Sequence, residues 1–285
     1  MENYQHILFP YAYNILGTTE DAKDAIQDVL YKFLAGGKED IEDPKNYLIR
    51  SVINQSITIK NKRKKLQLGD MWLPEPVATE EADANIKLNE IVSYSLLILL
   101  EQLNAKERAV FILKEAFAYS HEEIADTLAV SVEHSRKLLS RAKQKIDQVH
   151  APVPASKDET ITPAILEKFM HAIRSRDTKT LESVLTADIA FYADGGSAIK
   201  VFAKQCTGMQ EVADLLIFVF HRFDNGYTYT IGEINHQPAL LFYDGDVLKY
   251  CQIFGIDPET NKIFQISNML DPEKLKSFGN GFVAS

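Results

Sequence analysis

The chain has 285 residues, a net charge of −9, 46% hydrophobic residues and 25% charged residues. This length suffices for two or three domains of roughly 100–150 residues, and the acidic total is unlike that of a simple DNA-coating protein. No apolar run reaches the roughly 18 residues of a membrane span, and no basic stretch precedes an apolar core at the N-terminus. Two cysteines are too few for a disulfide framework or a zinc site, so we expect a cytoplasmic protein without a metal or another cofactor.

The sequence predicts helices within residues 1–68. Thr18 offers an N-cap for a helix that Gly36 ends, and Pro44 opens a further helix that continues into the basic string 60–65. The first of these two helices has one acidic face, made by Asp21, Asp24, Gln27 and Asp28. The inward positions predicted for the second are Tyr47, Leu48, Val52 and Ile53.

A linker over residues 69–88 contains the sequence MWLPEP and the only tryptophan, Trp72. Its two prolines favour an extended path and disfavour helix and sheet partners. Trp72 and Leu73 therefore gain stability only by docking on a domain. Two alternatives stay open at this point: a local cap over the first helical domain, or a stiff latch that the C-terminal domain holds beside residues 271–275.

The next segment predicts a helix over 86–102, a helix from Ala105 to Phe117 capped by Asn104, and then a helix-turn-helix motif. Ser120 caps the first helix of the motif and Ser131 the second, with a tight turn between them. The second helix leaves a polar and basic face for solvent or DNA. That face consists of Glu133, His134, Arg136, Lys137, Ser140, Arg141 and Lys143.

After a Pro- and Ala-containing linker over 151–160, the pattern changes to two short helices, a hairpin turn at Asp194-Gly195-Gly196, one more helix and four alternating strands. This order predicts an α+β cone with a curled antiparallel sheet around a pocket. Such cones can host acid–base chemistry. The candidates by residue type are Asp188, Tyr192, Asp194, His221 and His236, but no spacing among them indicates a catalytic dyad or a metal site.

Three stretches in this order resemble the extracytoplasmic-function sigma factors of bacterial RNA polymerase. Residues 10–34, PYAYNILGTTEDAKDAIQDVLYKFL, and 44–65, PKNYLIRSVINQSITIKNKRKK, resemble region 2 of that family, and residues 103–143 resemble region 4. The WLPEPV linker, Asp194-Gly195-Gly196 and the DPEKL sequence at 271–275 are similar to the sigma-J-like subgroup, which carries a SnoaL-like, NTF2-type C-terminal domain. The subgroup pattern is closer to D-G-G-G-K and N-P-D-K-L, so both motifs depart from it here.

The resemblance implies partners for individual residues. The acidic face would bind the clamp helices of the β′ subunit of core RNA polymerase, and the basic helix would recognise and open the promoter −10 element. The residues implied for the −10 element are Asn54, Thr58, Lys60, Asn61 and Arg63. Those implied for the −35 element are Glu133, His134, Arg136, Lys137, Arg141 and Lys143. Regulation between domains would involve Trp72, Leu73, Pro74, Glu75, Pro76, Asp194, Gly195, Gly196, Asp271, Pro272, Lys274 and Leu275.

The resulting prediction is a multidomain protein with two all-α sigma domains and an α+β, SnoaL-like cone. The domains are predicted as sigma region 2 over 1–68, a linker over 69–88, region 4 over 89–150, a linker over 151–160 and a regulatory domain over 161–285. The predicted function is promoter-specific transcription initiation, regulated in cis by the C-terminal domain, with an unknown small ligand as a further candidate partner. A ligand-sensing helix-turn-helix regulator that does not bind polymerase is the alternative, and an enzyme fused to a DNA-binding module is a third.

Overall fold

A computed structural model describes residues 2–36, 41–64, 72–79, 90–147, 162–223 and 226–276. The chain forms two compact units. The helical unit contains Met1–Asp70, Ala82–Val92 and Leu96–Ala151, and the sheet unit contains Met71–Glu81, Ser93–Ser95 and Pro152–Ser285. The predicted linker over 69–88 is thus divided between the units, and the predicted domain boundaries stay a prediction. Within the described ranges, no helix is both long and apolar enough to cross a membrane.

The helical unit is built from amphipathic helices. They are α1 (Glu2–Leu16), α2 (Thr19–Ala35), α3 (Pro44–Lys64), α4 (Tyr94–Leu100), α5 (Ala105–Glu115), α6 (His121–Leu128) and α7 (Val132–Asp147), of which α4 begins in the sheet unit. Leu48, Val52 and Ile53 of α3 are buried as predicted, whereas Tyr47 is 46% exposed. The prediction that Tyr47 points inward was therefore wrong. Its ring lies near the first turn of α3 and contacts Phe33 of α2 from outside, with 6.0 Å between ring centroids.

The predicted caps can be checked one by one. Asn104 and Ser120 both form capping boxes, with Glu107 and Glu123 as the reciprocal partners. Thr18 is the N-cap residue of α2, but its hydroxyl donates to the Asp21 carboxylate at 2.8 Å instead of accepting a backbone N–H. The first turn of α2 is thus fixed through an acidic side chain, which a helix N-terminus favours.

The helix predicted over 86–102 is shorter in the structure. Residues 86–89 lie outside the described part of the chain, and α4 begins only at Tyr94. The reason is visible in Asn14 of α1, whose amide donates to the Glu90 carbonyl at 2.7 Å and accepts from the Val92 amide at 3.2 Å. Backbone groups near residue 91 are bonded to α1, so they are not part of a helix.

The sheet unit is an α+β domain with a six-stranded sheet. Its elements are α8 (Thr162–Ser175), α9 (Thr178–Ser183), β1 (Leu185–Asp194), β2 (Gln205–Thr207), α10 (Met209–Phe223), β3 (Thr228–Ile234), β4 (Gln237–Asp244), β5 (Val247–Asp257), β6 (Lys262–Met269) and α11 (Pro272–Leu275). The strand order is β2-β1-β6-β5-β4-β3. The helices α8, α9 and α10 pack on the sheet through one apolar core that includes Phe169, Leu181, Val212 and Phe254.

Two details of the predicted sheet were wrong. The pair β1–β6 is parallel, so the sheet is mixed and not purely antiparallel. A parallel pair needs a long connection between its strands, and here α10 and four strands lie between β1 and β6 in the chain. Asp194-Gly195-Gly196 also does not form a tight hairpin, because β2 begins only at Gln205 and a longer loop joins it to β1.

Candidate functional site

The helix-turn-helix motif lies in α6 and α7. Ala129 connects the two helices in the left-handed conformation, with φ 50°. His121 of α6 and Ser135 of α7 are hydrogen bonded at 2.9 Å, and the Ser131 hydroxyl accepts the His134 amide at 3.1 Å. These contacts fix the crossing of the helices through buried or capping groups, so the outer face of α7 is left for a partner.

A buried glutamate fixes α7 on α5. Glu107 is 2% exposed and accepts Lys145 Nζ at 2.7 Å. Burial alone would raise the pKa of Glu107, but Lys145 and the backbone of Asn104 hold it below its ordinary value. Because the carboxylate stays charged, one residue both caps α5 and binds the C-terminal half of the recognition helix.

The predicted −35 residues lie on the exposed face of α7. The side chains of Arg136, Lys137, Arg141 and Lys143 are 63%, 68%, 54% and 51% exposed. Arg136 lies 3.8 Å from Glu122, and Lys137 lies 2.7 Å from Glu133. Arg141 lies 3.8 Å from Glu107, and Lys143 lies 2.8 Å from Glu115. Glu107 is 2% exposed, but the other three carboxylates are exposed to solvent, and exposed ion pairs contribute about 0–1 kcal/mol. A phosphate backbone can therefore replace Glu122, Glu133 and Glu115 at small cost.

The predicted −10 residues of α3 have different surroundings. Thr58 is exposed and donates to the Asn54 carbonyl, and Asn61 is exposed as well. Asn54 donates its amide to the Thr127 carbonyl of α6 at 2.9 Å. Arg63 forms an ion pair with Asp21 of α2. Two of the five residues are thus occupied by other parts of the helical unit.

Lys60, the remaining −10 candidate, is directed into the helical unit. Its ammonium lies 3.1 Å from both carboxylate oxygens of Glu101. Glu101 also binds Arg108, which is fully buried and donates its Nε to the Asn14 carbonyl at 2.8 Å. Burial and the charge of Arg108 lower the pKa of Lys60 to about 7, against the opposing effect of Glu101. This buried cluster joins α3 and α1 to α5.

The acidic face of α2 is open to solvent. Asp24, Gln27 and Asp28 are exposed, and Asp21 is half-buried because it pairs with Arg63. Tyr31 continues the same stripe at helical spacing and is 75% exposed. The sequence analysis did not select Tyr31, although its i+3 and i+4 relation to Asp28 and Gln27 was a usable signal.

Linker and C-terminal residues meet at one point in the sheet unit. Asp194 Oδ2 accepts the Leu73 amide at 2.9 Å and Lys274 Nζ at 2.6 Å. Lys274 Nζ also donates to the Leu73 carbonyl at 2.5 Å and lies 4.5 Å from the centroid of the Trp72 ring. Leu73 is fully buried. We call Trp72, Leu73, Asp194 and Lys274 the linker clasp.

The charge state of the linker clasp follows from its hydrogen bonds. Burial alone would raise the pKa of Asp194, but Lys274 and the amides of Leu73 and Gly196 hold it below its ordinary value. A buried carboxylate with an ammonium and two backbone donors is a fully paired site. The clasp therefore holds the linker by charge as well as by the apolar contact of Leu73.

The glycines after Asp194 are needed for close approach. Gly196 has φ +60°, and a Cβ atom there would lie 2.4 Å from the Asp271 carboxyl carbon. A Cβ atom on Gly195 would lie 2.0 Å from the Ile199 carbonyl oxygen. Asp271 in turn caps α11 by accepting the Glu273 amide at 3.0 Å. The structure thus brings the two C-terminal motifs, Asp194–Gly196 and Asp271–Leu275, into contact with each other.

The linker also has a sheet partner, contrary to the prediction from its prolines. Ala78 forms an isolated bridge with Ile234 of β3. On either side, the Thr79 amide donates to the Glu233 carbonyl at 3.2 Å and the Asn235 amide to the Val77 carbonyl at 2.9 Å. The prolines stand at 74 and 76, so the amides that follow them remain able to donate. Nothing in the local sequence of β3 indicated this pairing.

Two further contacts hold the linker and the start of α4 on the sheet unit. The Tyr94 hydroxyl donates to the Pro74 carbonyl at 2.7 Å, and Glu75 is 7% exposed. Gln237, at the beginning of β4, accepts the Ser95 amide at 2.7 Å and donates to the Ser95 hydroxyl at 2.9 Å. Both contacts are between groups far apart in sequence, which is why the sequence analysis missed them.

Four of the five residues considered for catalysis have another position or partner, and the fifth, Tyr192, is half-buried on β1, where burial raises the pKa of its hydroxyl. Asp188 is exposed on β1, and Asp194 belongs to the linker clasp. His221 contacts the Ile173 carbonyl at 2.9 Å, and His236 stands in the β3–β4 turn, 3.6 Å from Glu233. In the described ranges, no group of three or more His, Cys, Asp or Glu side chains could hold a metal ion.

Comparison with known proteins identifies the helix-turn-helix part first. Residues 95–146 match the family model "Sigma-70, region 4". The described α4–α7 thus form a DNA-binding module of the sigma-70 type.

The chain also has relatives that align with it along most of its length. It is 26% identical over 286 residues to "ECF RNA polymerase sigma factor SigJ" of Mycobacterium tuberculosis, covering 95% of this chain and 90% of the relative. It is 24% identical over 273 residues to "Probable ECF RNA polymerase sigma factor SigI" of the same species, covering 93% and 89%. The crystal structure of M. tuberculosis SigJ superposes with a TM-score of 0.76 at 22% identity over 97% of both chains. Along most of its length the chain is therefore similar to extracytoplasmic-function sigma factors, and it shares the fold of SigJ.

Proposed function

We propose that this sigma factor binds core RNA polymerase in the cytoplasm and directs it to promoters, and that its sheet unit regulates this activity without catalysing a reaction. The observation that carries the proposal is the exposed basic face of α7 within the residues that match sigma-70 region 4. The alignment with named sigma factors along 95% of the chain supports the same role for the helices before it.

At the −35 element, α7 would lie in the major groove. The N-terminal part of a recognition helix meets base edges, and flanking cations meet phosphates. Glu133, His134 and Arg136 lie in the first two turns of α7, and Arg141 and Lys143 follow one to two turns later. Carboxylates can accept from cytosine amino groups, and arginine can bind guanine at two atoms.

At the −10 element, α3 would contribute Thr58 and Asn61 directly, with Asn54, Lys60 and Arg63 after a rearrangement. The −35 and −10 elements lie about 25 base pairs apart on the promoter, which is about 85 Å at about 3.4 Å per base pair. In the helical unit, however, Asn54 of α3 contacts Thr127 of α6 at 2.9 Å. Arg50 likewise pairs with Asp126 at 2.9 Å. This distance argument supports a resting state for the described conformation, which must open before both elements are bound.

On core polymerase, the stripe of Asp24, Gln27, Asp28 and Tyr31 would contact the clamp helices of the β′ subunit. An acidic patch with one exposed aromatic ring suits a basic, partly apolar partner surface. The acidic net charge of −9 also limits stray DNA binding by the free protein.

The linker clasp is the proposed site of regulation in cis. Region 2 and region 4 can separate only as far as the segment between α3 and α4 allows, and residues 72–79 of that segment are bonded to the sheet unit. When released, these eight residues could extend by about 3.3–3.6 Å each. Holding the linker therefore favours the resting state, and releasing it favours promoter binding.

Two sets of variants test the proposal by in vitro transcription with core polymerase. For DNA binding, Arg136→Ala with Lys137→Ala should abolish transcription from −35-dependent promoters. The matched control, Lys168→Ala with Lys179→Ala, removes the same charge from exposed positions of α8 and α9 and should have no effect. Unchanged transcription in the first variant would refute the role of α7.

For regulation, Lys274→Met should increase transcription and the affinity for core polymerase, because it removes the ammonium that joins Leu73 to Asp194. Lys276→Met is the matched control, since Lys276 is exposed and pairs only locally with Glu273 at 2.5 Å. Equal activity of both variants and the unmodified protein would refute regulation through the clasp. Binding of core polymerase by neither form would refute the sigma-factor role itself.

A further inference from the structure

The C-terminal end of α6 covers part of α3 in the helical unit. Arg50 of α3 binds the Asp126 carboxylate of α6 at two points, with 2.9 Å from Nη1 to Oδ2 and 3.1 Å from Nη2 to Oδ1. Nη2 also donates to the Asp126 carbonyl at 2.7 Å. One turn later on α3, the Asn54 amide donates to the Thr127 carbonyl at 2.9 Å. We call Arg50, Asn54, Asp126 and Thr127 the α3–α6 contact.

The acceptors at the end of α6 are similar to a phosphate group in charge and geometry. The Asp126 carboxylate carries a negative charge, and the last carbonyls of a helix add partial negative charge. A planar guanidinium forms two parallel hydrogen bonds with a carboxylate and with a phosphate alike. Asp126 therefore presents to Arg50 the same kind of group that a DNA backbone presents.

Arg50 stands on the side of α3 that carries residues proposed for the −10 element. Asn54, Thr58 and Asn61 follow it at positions i+4, i+8 and i+11. At 3.6 residues per turn, these four positions lie within about 80° around the helix axis. All four residues are exposed. Arg50 therefore extends the proposed promoter face of α3 by one turn toward the start of the helix.

We propose that Arg50 binds a backbone phosphate of the −10 element, and that Asp126 occupies the place of this phosphate in the resting state. The inference rests on the proposed function, because it adds a residue to the promoter face and names the group that covers it. The side chains of Arg50 and Asp126 are 45% and 71% exposed. Exposed pairs are weak, so a phosphate can replace this carboxylate.

The same contact links the two promoter elements. His121 of α6 and Ser135 of α7 are hydrogen bonded at 2.9 Å, so the two helices move together. When α7 moves to the −35 element, α6 leaves α3. The motion that brings α7 to DNA therefore also frees Arg50 and Asn54 for the −10 element.

A purely structural ion pair is the alternative. The C-terminal end of a helix attracts cations, so Arg50 would serve only to stabilise the end of α6. A structural pair needs both partners equally. An arginine that binds phosphate acts after Asp126 has left it, so the loss of Arg50 and the loss of Asp126 should have different effects on DNA binding.

Surface plasmon resonance with immobilised core polymerase tests the resting contact on the full chain. Asp126→Asn and Arg50→Ala both break the α3–α6 contact, so each should raise the affinity for core polymerase by about 2–5-fold, the range for an exposed ion pair. The double variant should gain no more than either single variant, because both substitutions remove the same contact. If neither single variant gains affinity, Asp126 does not hold the resting state, and its proposed role is overturned.

Promoter binding by the assembled holoenzyme should separate the two variants. The probe is a promoter fragment selected from a random-sequence pool by transcription with the unmodified holoenzyme. Arg50→Ala should weaken binding about tenfold. It should also lower the slope of log affinity against log salt concentration by about 1, as the loss of one phosphate contact predicts. Asp126→Asn should change neither quantity, and Arg50→Lys, which keeps the charge, should restore the slope.

Lys45→Ala is the matched control on α3. Lys45 is exposed and lies five positions before Arg50, which places it about 140° away around the helix. This variant should leave both affinities and the salt slope unchanged. An unchanged slope in Arg50→Ala, or equal weakening of promoter binding by Arg50→Ala and Asp126→Asn, would overturn the inference alone. If the unmodified chain does not bind core polymerase, the sigma-factor proposal fails and this inference fails with it.

Discussion

Replacing Asp194 with asparagine removes one charge from the linker clasp and preserves its shape. The carboxylate is 7% exposed and accepts three hydrogen bonds, from Leu73, Gly196 and Lys274. Removing one partner of a buried ion pair costs about 3–5 kcal/mol, because the other charge stays buried and unpaired. Lys274 is 11% exposed and still has the Leu73 carbonyl as an acceptor. We therefore take the lower end, about 3 kcal/mol, for the loss of clasp stability.

Hydrogen exchange at the Leu73 amide measures this loss directly, because that amide donates to Asp194. Amides exchange through local openings whose free energy sets the rate. A loss of about 3 kcal/mol, at about 1.4 kcal/mol per tenfold change, predicts exchange about 150-fold faster. Selective ¹⁵N-leucine labelling and NMR would resolve this amide, and the temperature and pH should be the same for every variant.

Two controls make the result specific. Asp188→Asn changes an exposed carboxylate on the same strand, β1, and should leave the Leu73 exchange rate unchanged. The Asn235 amide, which donates to Val77 farther along the linker, should accelerate much less in Asp194→Asn. If the Leu73 amide in Asp194→Asn exchanges less than about 5-fold faster than in the unmodified protein, the clasp has lost less than about 1 kcal/mol. In that case the burial of Leu73, and not the ion pair, holds the linker.

Three further predictions concern other contacts. Burial lowers the pKa of Lys60 to about 7, so between about pH 7 and the ordinary lysine pKa the unfolded chain binds more protons than the folded chain, and stability rises with pH. In chemical denaturation, the difference in unfolding free energy between the unmodified protein and Lys60→Met should therefore grow by up to about 1.4 kcal/mol per pH unit above pH 7. A difference that does not change with pH would refute the lowered pKa. Glu107→Gln keeps the α5 cap but removes the charge that binds Lys145. It should lower the unfolding free energy, measured by the same method, by about 1–3 kcal/mol. The control Glu115→Gln changes an exposed ion pair and should alter the unfolding free energy by no more than about 0.5 kcal/mol. Gly196→Ala would place a Cβ atom 2.4 Å from the Asp271 carboxyl carbon and should lower the melting temperature by several degrees. The control Gly245→Ala has a similar φ with open space around it and should lower the melting temperature less. Equal effects would mean that the loss of stability comes from the backbone conformation alone.

Features of the fold that depend on short stretches of sequence were predictable. The caps at Asn104 and Ser120 follow from residue type and spacing, and the structure has both capping boxes. The four alternating strands predicted for the C-terminal part are present as β3–β6, because turn residues flank each of them. Thr18 shows the limit of this reasoning, since its hydroxyl had a choice between a backbone amide and the Asp21 carboxylate.

Features that depend on distant partners were not predictable in detail. Lys60 belongs to a basic string that was expected to contact the −10 element, yet in the helical unit its ammonium binds Glu101 and lies near the charge of Arg108. The Tyr47 ring was expected inside because aromatic residues usually are, but at the start of α3 it lies outside Phe33. In both cases the deciding neighbour is on another helix, and one sequence does not show it.

The linker is an intermediate case. A lone tryptophan beside two prolines predicted that the linker docks on a domain. Two surfaces were candidates, the first helical domain and the C-terminal domain. Its ring lies under Lys274, within the 271–275 segment named for the latch alternative, and the described contacts of Leu73 are to the sheet unit. The pairing of Ala78 with β3 was missed, because sheet edges accept strands through backbone atoms that carry no sequence signal.

The bridge at Ala78 also bears on aggregation. In the described sheet β3 is an edge strand, and such strands offer unpaired backbone groups to other chains. Residues 77–79 cover the Glu233–Asn235 end of this edge, and Ile231 farther along β3 is 39% exposed. A linker that leaves the sheet unit therefore exposes a longer strand edge with an apolar side chain on it. The released form should self-associate at high concentration unless core polymerase is present to bind it.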